Sequence, residues 1–192
     1  MSNNSWNSSL FVLPVAGPTL TAAAAASMLV ASSPAANQMK PTIPAALLVP
    51  GMKFNVRASG IISSVVTTPG TARFDIRLGS NVIFDTGALA LNVVAKTNVP
   101  WWLDVDLTVR VAGMGTLTQF WAQGMWASEA VIGSPLPSAG GCGVLNVPTG
   151  SLALSPATGF DASTSYVLDS YFTQTVATGS MNCEQFEVVQ RN

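Results

Sequence analysis

Asp104 and Asp106 stand two residues apart in a run, residues 101–111, whose apolar and polar side chains alternate strictly. Alternation of that kind puts both carboxylates on one face of a strand, and paired acids can cleave a glycosidic bond or contribute to a calcium site. The competing reading is an outward ion ladder. Arg110 shares their face, and Arg73, Asp75 and Arg77 alternate on another run, so opposite charges placed across strands account for the pair at lower demand. The Asp-x-Asp spacing also lacks the loop geometry and the additional oxygens of a tight calcium site. The ladder is the preferred reading.

The chain contains no histidine. That removes Ser-His-Asp and Cys-His catalysis, histidine-bearing zinc sites and the usual base at neutral pH. There is no phosphate loop, and Gly113-Met114-Gly115 lacks the third glycine and the following helix of a dinucleotide fingerprint. Cys142, in a Gly-Gly-Cys-Gly stretch, and Cys183, in a predicted strand, have neither metal nor redox spacing and read as two free thiols. Catalysis is therefore not expected, and no catalytic, cofactor-binding or metal-binding residue is assigned. Among the five tryptophans, Trp101 and Trp102 must point to opposite faces of their strand, so one of them is a candidate for sugar stacking. Trp121 and Trp126 read as core or subunit-interface residues.

The elements that position these residues are strands. Phe54, Val56, Ala58 and Ile62 alternate with Asn55, Arg57 and Ser59; Phe74, Ile76 and Leu78 alternate with Arg73, Asp75 and Arg77. Turn signals at Pro69-Gly70 and Gly79-Ser80-Asn81 separate the second run from its neighbours. Further strands are predicted at 82–84, 101–111, 117–127, 144–147, 165–177 and 181–190. About eight strands without a sustained helical period predict an all-β fold, an antiparallel two-sheet jelly-roll sandwich, with the immunoglobulin-like sandwich as nearest alternative.

Ahead of that body, spanning residues 50–192, residues 1–49 hold a single charged side chain, Lys40, together with apolar runs such as Leu10-Phe11-Val12-Leu13. Disordered tails are charged and poorly hydrophobic. This segment therefore reads as an extended arm that docks on another surface, with at most one turn of helix at Ala22 to Ala26. Charged residues make up 9% of the chain, so its polar surface rests on Ser, Thr, Asn and Gln, which suits lasting contact with neighbours. A net charge of −1 disfavours nucleic acid and anionic bilayers. No apolar run is long enough to span a membrane, and Leu10 to Gly17 lack the basic start of a secretory signal.

Several phrases resemble, in the same order, a family of structural proteins encoded in tailed-bacteriophage and prophage genomes. They are Thr67-Thr68-Pro69-Gly70-Thr71-Ala72-Arg73-Phe74-Asp75-Ile76-Arg77-Leu78-Gly79, Ala95-Lys96-Thr97-Asn98-Val99-Pro100-Trp101-Trp102-Leu103 and Gln123-Gly124-Met125-Trp126. The resemblance covers roughly residues 45 to 190 and implies a virion component with a β-sandwich body. The expectation that follows is a capsid decoration or cement protein, a homotrimer whose apolar arm bridges subunits of the major capsid protein and whose assembly takes place in the host bacterial cytoplasm. The alternative is a tail-tip, baseplate or fibre protein that binds a receptor or glycan.

Overall fold

The computed structural model describes residues 7–29, 40–65, 68–134, 141–148, 157–177 and 179–191. Among them there is no helix; thirteen strands form two antiparallel sheets. Eight match the predicted runs: β4 (Lys53–Ser64), β5 (Thr71–Leu78), β6 (Asn81–Asp85), β8 (Lys96–Val111), β9 (Thr118–Ser128), β10 (Gly143–Val147), β12 (Tyr166–Gln174) and β13 (Ser180–Arg191). The other five raise the count above the eight expected. They are β1 (Asn7–Val12), β2 (Ala26–Ser27), β3 (Thr42–Ile43), β7 (Leu89–Ala90) and β11 (Ala157–Phe160). Three of these are two residues long. Runs so short carry no period for a sequence pattern to report.

The larger sheet runs β1-β13-β4-β8-β9-β10, with β11 also on β9; the smaller runs β2-β12-β5-β6, with β3 on β12 and β7 on β5. Strict alternation in β8 buries Trp101, Leu103, Val105, Leu107 and Val109, and the facing strand β5 buries Phe74, Ile76 and Leu78. The two inner faces share one core. The Phe74 ring of the smaller sheet stands 5.2 Å from Trp101 and 5.7 Å from Trp126 of the larger. Trp101 also donates its indole N–H to the Asn182 carbonyl at 3.1 Å, which satisfies the one polar atom that its burial would otherwise cost.

The described residues among the first 49 dock on their own chain. β1 pairs antiparallel with β13, Leu20 bridges to Met181, β2 and β3 pair with β12, and Leu13, Met28, Leu29, Ile43 and Leu48 are buried in the shared core. For the described residues the covering surface is thus the edges of β12 and β13. The reason is elementary: unpaired edge backbone and half-covered apolar side chains are satisfied together when an uncharged segment runs along them. The expected helical turn at Ala22 to Ala26 is absent, since Met28 donates its N–H to the Ser170 carbonyl at 2.8 Å and the chain stays extended.

Candidate functional site

The outer face of the larger sheet gathers the chemistry-bearing residues. Because β8 lies between β4 and β9, the register sets Arg57 opposite Asp104, Asn55 opposite Asp106 and Ser59 opposite Trp102, with Met125 and Gln123 beyond the two aspartates. One strand further on each side, Glu187 stands opposite Arg57 and Asn146 opposite Met125.

Both aspartates are held by cross-strand partners. Arg57 donates its Nε–H to Asp104 at 3.1 Å, and Arg191 of β13 approaches Asp106 at 3.5 Å. Asn55 lies beneath them, 2% exposed, and its amide nitrogen donates to Asp104 at 2.6 Å and to Asp106 at 3.0 Å. One buried amide therefore ties the two carboxylates together while an arginine caps each from the side. This is the ion-paired arrangement, but with other cations than the sequence offered. Arg73 and Arg77 belong to the smaller sheet, where they pair with Asp85 and Asp75, and Arg110 lies over the Trp121 ring at 5.9 Å. The hydrogen bond that each of these guanidinium groups donates to its carboxylate is also what raises the pKa of Arg73 and of Arg77. Among the described residues no three His, Cys, Asp or Glu side chains gather as metal ligands.

Two shallow depressions open on this face and meet at Arg57. One, of about 550 Å³, is lined by Trp102, Ser59, Glu184, Gln185 and Glu187. The other, of about 340 Å³, is lined by Asn55, Asp104, Asp106, Gln123, Asn146 and Arg191. Trp102 is 58% exposed, whereas Trp101 and Trp126 are in the core. Alternation alone predicted that one of Trp101 and Trp102 faces outward. The parts contributed by β4, β10 and β13 needed the strand order and were missed; their signal in the sequence is only that Arg57, Gln185 and Glu187 alternate with apolar residues.

A second polar cluster fastens the N-terminal segment. Asp169 of β12, 5% exposed, accepts hydrogen bonds from Ser27 at 2.7 Å, from its neighbour Ser170 N–H at 2.8 Å and from Lys40 at 2.5 Å. The one charge in the first 49 residues is therefore spent on the chain's own body.

The two cysteines are free, Cys142 exposed and Cys183 buried. Burial pushes the Cys183 thiol up to about 12, and burial followed by the Glu129 charge raises Cys142. No helix among the described residues is long and apolar enough to cross a membrane. Comparison with protein-family models, with curated proteins and with solved structures returns no match.

Proposed function

We propose that the chain is a structural protein of a tailed-bacteriophage virion, most specifically a capsid decoration protein that acts as cement, with a jelly-roll sandwich as its body and a homotrimer as its working form. Two kinds of support bear on the fold. Taken in chain order, β1, β2, β4, β5, β6, β8, β12 and β13 interleave as β1-β13-β4-β8 in one sheet and β2-β12-β5-β6 in the other, the order of two Greek keys wound into a jelly roll. On this reading β9 and β10 extend one edge, and the N-terminal segment supplies two of the eight strands. Phrases within residues 58–135 resembling virion proteins supply the second.

The observation that carries the cement reading is a pair of apolar ends. Where β8 turns into β9, Met114 and Leu117 are 75% and 64% exposed, beside Val49 and Val111. At the other end of β8, Val93 and Ile132 are 62% and 53% exposed, beside Val94. Sixteen residues of β8 separate the two ends, roughly 50 Å of strand. Clustered exposed apolar residues mark contact surfaces, and two such ends let one body touch two neighbours. Bridging then belongs to the body rather than to the arm.

The test is co-sedimentation of the purified protein with heads of the encoding phage that lack it, together with its copy number in virions by quantitative mass spectrometry. The expected result is a copy number within a few-fold of the major capsid protein, and at least tenfold weaker head binding for Met114→Ser/Leu117→Ser and for Val93→Ser/Ile132→Ser. A trace copy number, or undiminished binding by both double variants, would overturn the cement role.

A further inference from the structure

The apolar ends leave the face that carries Trp102 without a use. We infer that this face is a binding site for a neutral glycan, with one sugar ring laid on the Trp102 indole and its neighbours along the chain lying over the depression formed by Asp104, Gln123 and Asn146. The inference goes beyond the cement role and does not depend on where in a particle the protein sits.

A tryptophan buries more apolar area than almost any other residue when it is covered, yet Trp102 stands 58% exposed in the middle strand of a sheet, two positions from Asp104 and with the β4 residue Ser59 directly opposite. It lines the larger of the two depressions, and Arg57 joins that depression to the second. The joined trough therefore runs from an indole platform, with the exposed Val12 in its lining, to carboxylates and amides set around the exposed Met125. That is the composition a polyol needs: a flat apolar surface for the C–H face of the ring, and planar donors and acceptors for its hydroxyls.

Hydrogen-bonding capacity is left over on both sides of Arg57. The guanidinium gives Asp104 its Nε–H, which leaves the rest of its donors. Gln185 accepts from Ser59 at 3.1 Å through its oxygen, which leaves its amide N–H groups. Each aspartate oxygen pair retains lone pairs after its contacts with Asn55 and one arginine.

Charge selects among occupants. The trough holds two arginines, Arg57 and Arg191, against four carboxylates, Asp104, Asp106, Glu184 and Glu187. The excess of negative charge disfavours sialylated, sulfated or phosphorylated chains and nucleic acid. A second copy of the chain is disfavoured on different grounds. Closing a flat protein surface over six ionised groups strips their water for little return, and the centres of protein interfaces are depleted of charge for that reason. A neutral sugar replaces water with hydroxyls and leaves the rim wet.

The experiment presents the full-length protein to a printed array of neutral and acidic glycans, followed by calorimetric titration with the best soluble neutral oligosaccharide. Trp102→Ala and Trp102→Phe are carried alongside, with thermal unfolding and sedimentation velocity on all three. The expected result is retention on neutral glycans, weakened about tenfold or more by Trp102→Ala and largely restored by Trp102→Phe, with melting and oligomeric state unchanged. Four results overturn the inference: no neutral glycan retained, a preference for acidic glycans, equal binding by Trp102→Ala, or a wild-type oligomer that Trp102→Ala dissociates. The last would assign the face to contacts between copies. Loss of glycan binding with head binding intact, or the reverse, keeps this inference separate from the cement role.

Discussion

Lys96 is 2% exposed, and among the described residues its nearest opposite charge is Glu129, 3.8 Å away, with no hydrogen bond to its ammonium group. A buried ion pair with poor geometry recovers little of its desolvation cost, so an apolar residue of similar shape serves as well or better. Lys96→Met is expected to leave the urea midpoint unchanged or raise it, whereas Glu129→Gln, which removes the opposite charge near the ammonium, should lower it. The thiols give a second prediction at this scale. Cys142 should react with a water-soluble thiol reagent in the native protein and Cys183 only after unfolding. Burial raises Cys183 from 9.0 in the unfolded chain to about 12 in the fold. Its contribution is intact below pH 9 and is lost as the pH climbs toward 12, because only the unfolded chain releases the proton in that window. Denaturation midpoints recorded across the window should fall, and fall less for Cys183→Ala. Single residues were unevenly legible. Asp104 and Asp106 were found because alternation fixes a face, but their partners Arg57 and Arg191 lie on strands far away in sequence, which no local pattern reports. Asn55 was read as outward and does lie on that face, yet the carboxylates above it keep it buried.

Among the elements, long strands were legible and short ones were not. β8 shows its period over 16 residues, so its inner and outer faces follow from the sequence. β2 and β3 have two residues each and exist because β12 offers them an edge. The uncharged character of the N-terminal segment correctly called for a covering surface; the identity of that surface was beyond composition, since a segment of this kind fits any apolar edge of suitable length. Its attachment can be tested at two points. Gly17 donates its N–H to the Cys183 carbonyl at 2.7 Å, and a Cβ there would stand 2.0 Å from the Met28 carbonyl oxygen. Gly17→Ala must push backbone apart and is expected to cost about 2 kcal/mol or more. Asp169→Ala strands the Lys40 ammonium and leaves Ser27 only its local bonds to Leu29, and should cost about 3 kcal/mol. Both variants should be cleaved within residues 7–29 by a protease at concentrations that leave the wild type whole. Equal resistance would mean that the segment is held by other contacts.

At the scale of the molecule, the all-β class and the two antiparallel sheets were legible because turn signals punctuate alternating runs, while the strand order was not, because it pairs residues from opposite ends of the chain. The trough around Trp102 is a product of that order. The two apolar ends, by contrast, flank β8 and follow from that single strand. One further consequence lies in the place of β13, the last of the strands along the chain, which sits between β1 and β4. A ribosome makes β1 early and β13 only after every other strand, so β1 has no hydrogen-bonding neighbour while synthesis proceeds. The larger sheet thus cannot be completed until β13 has been made, and Phe11 and Leu13 stay uncovered by it on the nascent polypeptide until then. Shelter of β1 by chaperones is accordingly expected to raise the yield of this protein in a cell, alongside the stability of the finished fold.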